Sequence, residues 1–178
     1  MSQITLHDKT FELMIPKAEI KQSIKKMAKK IDEDFHGKEL VVVGVLDGVF
    51  MVLADLLKRL HLNLSVELIK LKSYEGQQST GSVRKLLGLT QSLEGKHVLV
   101  VEDIVDTGIT LAYVLDLVRK HKPASISVAT LLLKNDVFKD KFPIQYYGIT
   151  IPNKFVVGYG MDYEGQGRQL TEIYSVID

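Results

Sequence analysis

The sequence predicts an α/β fold built on a mostly parallel central sheet flanked by helices. Three observations carry that expectation. Leu40-Val41-Val42-Val43-Gly44-Val45-Leu46 and Val98-Leu99-Val100-Val101 are continuous apolar runs of strand length, the pattern of strands covered on both faces. Each run ends in acidic or small residues and is followed by a stretch that reads as a helix. Ile20, Ile24, Met27 and Ile31 recur at helical spacing ahead of the first run. Strands that alternate with helices in this way form right-handed crossovers around a parallel sheet.

Composition narrows the class. The chain has 178 residues, enough for one domain spanning 1–178 with a substantial core. Its apolar content is 46%, its charged content 25% and its formal net charge +1, which gives no reason to expect nucleic acid or a membrane as partner. It contains no cysteine, which excludes disulfides and thiolate metal sites. His7, His36, His61, His97 and His121 are scattered without ligand spacing. Met1-Ser2-Gln3-Ile4 has no signal-peptide pattern and no run approaches a membrane span, so a cytoplasmic location is the expectation.

In chain order, residues 1–15 carry short apolar pieces and read as an edge strand or extended arm. Pro16 opens a helix whose other side carries Lys25, Lys26, Lys29 and Lys30, read as a solvated face, and Gly37 is its expected C-cap. The run at 40–46 ends in Asp47-Gly48, and Val49 to Leu60 reads as a helix. Leu62 to Lys72 alternates as a strand, and Val83 to Leu89 reads as its returning partner. Between them Ser73 to Ser82 is polar and glycine-containing, the character of a flexible lid loop. After the run at 98–101, Leu111, Val114, Leu115 and Val118 mark a helix face ending near His121. Ser125 to Leu133 is a strand ended by Lys134-Asn135-Asp136, Tyr146 to Ile151 a shorter one, and Ile173 to Val176 the last.

Chemistry concentrates between Val98 and Thr110. Glu102 and Asp103 fall where the strand is expected to end, the edge at which open α/β sheets bind ligands. Asp106, Thr107, Gly108, Ile109 and Thr110 then offer backbone N–H groups and hydroxyls at a helix N-terminus, which suits a phosphate. Carboxylates repel phosphate but suit ribose hydroxyls, Mg²⁺ or a proton-transfer task. An acid pair beside a phosphate cradle therefore points to a sugar phosphate bound with a metal. There is no G-x-G-x-x-G, so no dinucleotide fingerprint.

The run Val98 to Thr110 resembles the phosphoribosyl diphosphate (PRPP) motif of type I phosphoribosyltransferases. Leu46-Asp47-Gly48, Lys72-Ser73-Tyr74 with Ser79-Thr80-Gly81, Leu132-Leu133-Lys134, and Lys154 to Tyr159 through Asp162-Tyr163 and Arg168 resemble, in order, segments of the hypoxanthine-guanine branch. The resemblance spans about residues 40–178. It implies the type I phosphoribosyltransferase fold with a small hood. It also implies purine salvage: transfer of the 5-phosphoribosyl group from PRPP to N9 of hypoxanthine or guanine, giving IMP or GMP and pyrophosphate.

The residue roles it implies are these. Asp106 to Thr110 hold the 5′-phosphate, and Glu102 and Asp103 engage the ribose hydroxyls directly or through Mg²⁺. Asp106 lies near purine N7 as general base. Lys134 donates to the 6-oxo group, Phe155 stacks on the purine, and main-chain groups of Val156 and Asp162 read its edge. The Asp162 carboxylate joins Glu102 and Asp103 around a metal. Leu46, Asp47, Gly48 and Arg168 contact pyrophosphate, Ser73 and Tyr74 belong to the lid, and a homodimer or homotetramer is the implied assembly.

Departures also show. Asp47 stands where the family commonly has lysine, so its side chain is expected to point away from pyrophosphate or meet Mg²⁺. The Leu46-Asp47 peptide is expected to be cis. Glu164-Gly165-Gln166-Gly167, just before Arg168, is glycine-richer than the family pattern. An alternative within the fold is a regulatory RNA-binding relative, but those proteins typically have tyrosine at the place of Asp106. A receiver domain would need a phosphoacceptor aspartate where Ser125 to Leu133 ends in Lys134.

Overall fold

The computed structural model describes residues 2–73, 83–139 and 142–177. Two sheets make up the described chain. The larger runs β5 (Val83–Leu87), β4 (Leu64–Ser73), β3 (Leu40–Leu46), β6 (His97–Val105), β7 (Ser125–Leu133) and β8 (Tyr146–Thr150) in spatial order. All neighbours in it pair parallel except β5, which returns antiparallel to β4.

The valine runs explain why this sheet lies in the middle. Val42, Leu99 and Val101 face one core together with Ile20, Ile24, Met27 and Ile31 of α1 (Lys17–Asp34) and Val52 and Leu56 of α2 (Phe50–Leu57). Their chain neighbours Val41, Val43, Val98 and Val100 face the other core, with Leu111, Val114, Leu115 and Val118 of α3 (Ile109–Arg119). A strand read as continuously apolar thus feeds two cores by alternation. Each such fully buried side chain contributes roughly 1.5–3 kcal/mol of transfer free energy.

The second sheet is the hood. It orders β1 (Gln3–Leu6), β2 (Lys9–Ile15), β10 (Ile173–Val176) and β9 (Val156–Val157), all antiparallel, over a small core of Phe11, Val157 and Tyr174. Both ends of the described chain therefore meet in one element beside the main sheet. No helix among the described residues is long and apolar enough to cross a membrane.

Several boundaries differ from expectation. Residues 3–15 form a hairpin rather than a single strand, turning at His7 with φ 49°, because β2 is an interior strand between β1 and β10. Helix α1 ends before Gly37: buried Phe35 is its C-cap and donates its N–H to Ile31 O at 3.0 Å, and Gly37 (φ 73°) only turns the chain afterwards. Helix α2 stops at Leu57, and Arg59 and Leu60 close it with tighter bonds to Leu56 and Leu57. Strand β6 continues past Val101 to Val105 because β7 keeps pairing with it after β3 has ended its ladder at Gly44–Val101. A four-residue helix, α4 (Asn135–Phe138), follows β7 and was not foreseen. Of the expected lid, Ser73 to Ser82, all but Ser73 lies outside the described residues.

Candidate active site

Parallel strands bring β3, β6 and β7 to one edge with their C-terminal ends together. Past Val101, β6 pairs only with β7, so the chain from Glu102 to Val105 is open on the side where β3 turns away. The loop after β3 fills part of that opening. Its Leu46-Asp47 peptide is cis, as the resemblance implied. A Cβ on Gly48 would lie 1.8 Å from Asp103 Oδ2, and a Cβ on Gly160 would lie 1.9 Å from Gly48 O. Only glycine lets these three segments approach so closely.

Two adjoining cavities result. The first, about 350 Å³, is lined by Leu46, Asp47, Gly48, Glu102, Asp103 and every residue from Asp106 to Thr110. The second, about 340 Å³, is lined by Lys134, Phe155, Val156, Asp162 and Arg168. Asp47, Gly48, Asp103, Ile104 and Asp106 line both and form their junction.

Gly108 shapes the first cavity. It caps α3 with φ 77°, a left-handed conformation that favours glycine, and a Cβ there would meet Phe138 Cε2 at 2.8 Å. Ile109, Thr110 and Leu111, the first turn of α3, thereby line the cavity, and the first N–H groups of a helix have no intrahelical carbonyl to bond. The resulting cradle is sequence-local, running from Asp106 to Thr110.

At the junction, Lys134 Nζ lies 2.7 Å from Asp106 Oδ2. The lysine side chain is only 8% exposed and the aspartate 44%, so the ammonium is fixed from below while the carboxylate reaches solvent and any ligand. Asn153 Oδ1 accepts a longer, 3.4 Å bond from the same ammonium. Asp162 accepts from Gly165 N at 2.7 Å and pairs with Arg168 Nη2 at 2.7 Å, and Arg168 Nη1 donates to Gly160 O at 2.8 Å. Phe155 is exposed and sits in a cluster of rings with Phe11 and Tyr163.

The acid pair is electrostatically costly. Burial, helped by the neighbouring Asp103 carboxylate, pushes Glu102 well above the usual range. Burial likewise pushes Asp103 up to about 6, against the pull of backbone donors at 103 and 104 and of Arg168. Glu102 Oε1 is buried with no hydrogen-bond partner among the described residues. Such groups favour a cation nearby. Mg²⁺ suits them, because it is commonly held by one or two carboxylates together with ligand phosphates. No cluster of three or more His, Asp or Glu side chains fit to hold a metal occurs among the described residues.

Of the predicted site residues, the two cavities bring together all but Ser73 and Tyr74. Ser73 ends β4, and Tyr74 lies outside the described residues. The sequence reading missed Ile104, Met161 and Asn153. Ile104 carries no separate signal: after Val98 to Val101 it reads as further core, and it packs partly buried against the core.

Known proteins resemble the chain over most of its length. The family model described as "Phosphoribosyl transferase domain" matches residues 16–164. The chain is 39% identical over 171 residues to the hypoxanthine phosphoribosyltransferase of Escherichia coli K12, covering 94% of this chain and 96% of that protein. It is 37% identical over 164 residues to the hypoxanthine-guanine phosphoribosyltransferase of Dictyostelium discoideum, covering 89% and 91%. A crystal structure of a Staphylococcus aureus hypoxanthine phosphoribosyltransferase superposes with TM-score 0.88 at 37% identity, covering 93% of this chain and 91% of that one.

Proposed function

The chain belongs to the phosphoribosyltransferase family, in its hypoxanthine-guanine branch, and from that premise we propose how its two cavities divide the reaction. The enzyme acts in purine salvage. It transfers the 5-phosphoribosyl group of PRPP to N9 of hypoxanthine or guanine, forming IMP or GMP and pyrophosphate. One observation carries the division of labour: Asp106 lies at the junction, belonging at once to the phosphate cradle and to the ion pair with Lys134.

In this reading the backbone N–H groups and hydroxyls from Asp106 to Thr110 bind the 5′-phosphate. Glu102 and Asp103 face the ribose hydroxyls, and the loop Leu46-Asp47-Gly48 faces pyrophosphate. The purine enters the second cavity between Phe155 and Ile104. Lys134 donates to its 6-oxo group, while main-chain groups of Val156 and Asp162 read the opposite edge. A protonated lysine donates and cannot accept, so adenine, with its 6-amino donors, is disfavoured. N9 bonds to C1′ as the C1′–oxygen bond breaks and its electron pair leaves with pyrophosphate. Asp106 takes the proton the purine ring gives up, a transfer usually worth roughly 10²–10⁴-fold.

Mg²⁺ held with PRPP by Glu102 and Asp103 would supply charge neutralisation for the leaving pyrophosphate. Asp162 holds Arg168 and the Gly165 N–H through its two oxygens and would join that set with its remaining lone pairs. Arg168 keeps further N–H donors for pyrophosphate beside its bonds to Asp162 and Gly160 O. The expected assembly is a homodimer or homotetramer, and exposed Val66 and Leu68, two residues apart on β4, offer apolar surface for it.

The test is nucleotide formation from PRPP and Mg²⁺ with hypoxanthine, guanine, xanthine or adenine in separate reactions. Turnover of hypoxanthine and guanine with adenine inert is the expected result. No turnover of any base, with nucleotide binding intact, would overturn the enzyme reading.

A further inference from the structure

Asp47 poses a problem that the reaction itself does not resolve. Asp47 is a lining residue of both cavities, including the one that must receive several phosphate charges. An acid there repels the ligand unless something neutralises it. The structure supplies a partner from outside the cavity lining. Lys70 of β4 stands in register with Leu46 across the parallel β3–β4 pair, and its Nζ donates to Asp47 Oδ1 at 2.7 Å.

The strand is irregular at the same point. The β4–β5 ladder shifts register between Lys70 and Leu71. Such an irregularity re-aims side chains and is common beside active sites. Here Leu71 lines the first cavity while Lys70 reaches the Asp47 carboxylate. Both charged side chains are well exposed, at 39% and 46%, so the pair adds little to stability. Its consequence is local charge and aim. The carboxylate is drawn towards β4, and the ammonium is delivered beside the loop whose Gly48 backbone touches Asp103 and Gly160.

We propose that Lys70 is a positioning residue for PRPP: through its ion pair it neutralises Asp47 and turns that carboxylate away from the pyrophosphate end of the site. This rests on the phosphoribosyl-transfer reading above. Lys70 lines neither cavity among the described residues and acts on Asp47, in the loop that faces pyrophosphate in the reading above, so its effect is expected in PRPP binding rather than in the proton transfer.

The experiment is a four-variant series, Lys70→Met, Lys70→Arg, Asp47→Asn and the double variant Lys70→Met/Asp47→Asn. PRPP affinity is measured by calorimetry, and kcat and both KM values at low and high ionic strength. Lys70→Met should raise KM and Kd for PRPP about tenfold at low ionic strength, less at high. Its kcat, its KM for hypoxanthine and its Tm should stay near those of the parent. Lys70→Arg should behave as the parent, and adding Asp47→Asn to Lys70→Met should restore most of the lost affinity. An unchanged PRPP affinity in Lys70→Met would overturn the proposal. So would a double variant as weak as Lys70→Met, since Lys70 would then act without Asp47. A parent protein that neither binds PRPP nor turns over would overturn the functional reading itself, an outcome separable from both.

Discussion

The phosphate cradle comes from one uninterrupted run of chain, Glu102 to Thr110, whereas the hood facing it joins residues from opposite ends of the sequence. In the cradle, a strand, a left-handed glycine and a helix start dictate geometry within nine residues. In the hood, Val156 pairs with Ser175, Tyr174 pairs with Leu13, and Phe155 packs beside Phe11. The cradle's geometry is local and depends on a few backbone angles. Base recognition is non-local and depends on the whole hood being seated on the main sheet. Damage to the first should therefore appear in PRPP terms, and damage to the second in base terms.

The largest effect should come from the point where the two regions touch. Gly48→Ala puts a methyl group onto the Asp103 carboxylate and displaces the loop from Gly160. Misplacement on the order of 1 Å in a reacting site costs about a hundredfold. Steady-state kinetics should show kcat/KM for PRPP lowered by about that factor, with the base KM changed as well because the junction serves both cavities.

Lys134→Met separates the regions. It removes a charge-assisted donor from the base cavity and leaves the cradle backbone in place. Loss of such a bond is worth about 1.5–3 kcal/mol, so kcat/KM for hypoxanthine should fall by about 10- to 150-fold. Calorimetric PRPP affinity should change far less. Equal losses in both would mean that the two cavities are not separable.

A smaller effect is expected where the hood is tied to the main sheet. Tyr159, in the turn before Met161 and Asp162, donates its hydroxyl to Asp55 of α2. Tyr159→Phe removes one bond worth about 0.5–1.5 kcal/mol. The expected outcome is a KM for the base raised by roughly two- to tenfold, with PRPP binding unchanged.

Asp55 gives a pH signature of the same tie. Burial raises its pKa, but Lys58, Tyr159 and Arg59 together outweigh burial and hold it below 3.8. A carboxyl lowered in the folded state contributes stability that is present above its unfolded pKa and lost as pH falls through the folded value. Asp55→Asn should therefore lower Tm at pH 7 and flatten the loss of stability below about pH 4. A parallel shift of the whole acid limb would show that Asp55 carries no such linkage.

Legibility in the sequence follows the same divide. The buried strands could be read because Val41 to Val43 and Val98 to Val101 are apolar at every position, which only a doubly covered strand requires. The cradle could be read because its acids, glycine and threonines are contiguous. The hairpin at 3–15 could not: its turn uses His7-Asp8 rather than a glycine-bearing pair, and its partner β10 lies about 160 residues away. Ile104 escaped because one isoleucine after a valine-rich strand looks like more core. The Asp47–Lys70 pair escaped because it depends on the β3–β4 register and on an irregularity within β4, neither of which leaves a local signal.

The most direct test of the account concerns Asp106, the residue common to both cavities. The measurement is kcat of Asp106→Asn with hypoxanthine, taken beside its calorimetric PRPP affinity. The account predicts kcat lowered by roughly 10²–10⁴-fold with PRPP affinity held within a few-fold of the parent. A retained kcat, or a loss of PRPP affinity that matches the loss of kcat, would contradict it.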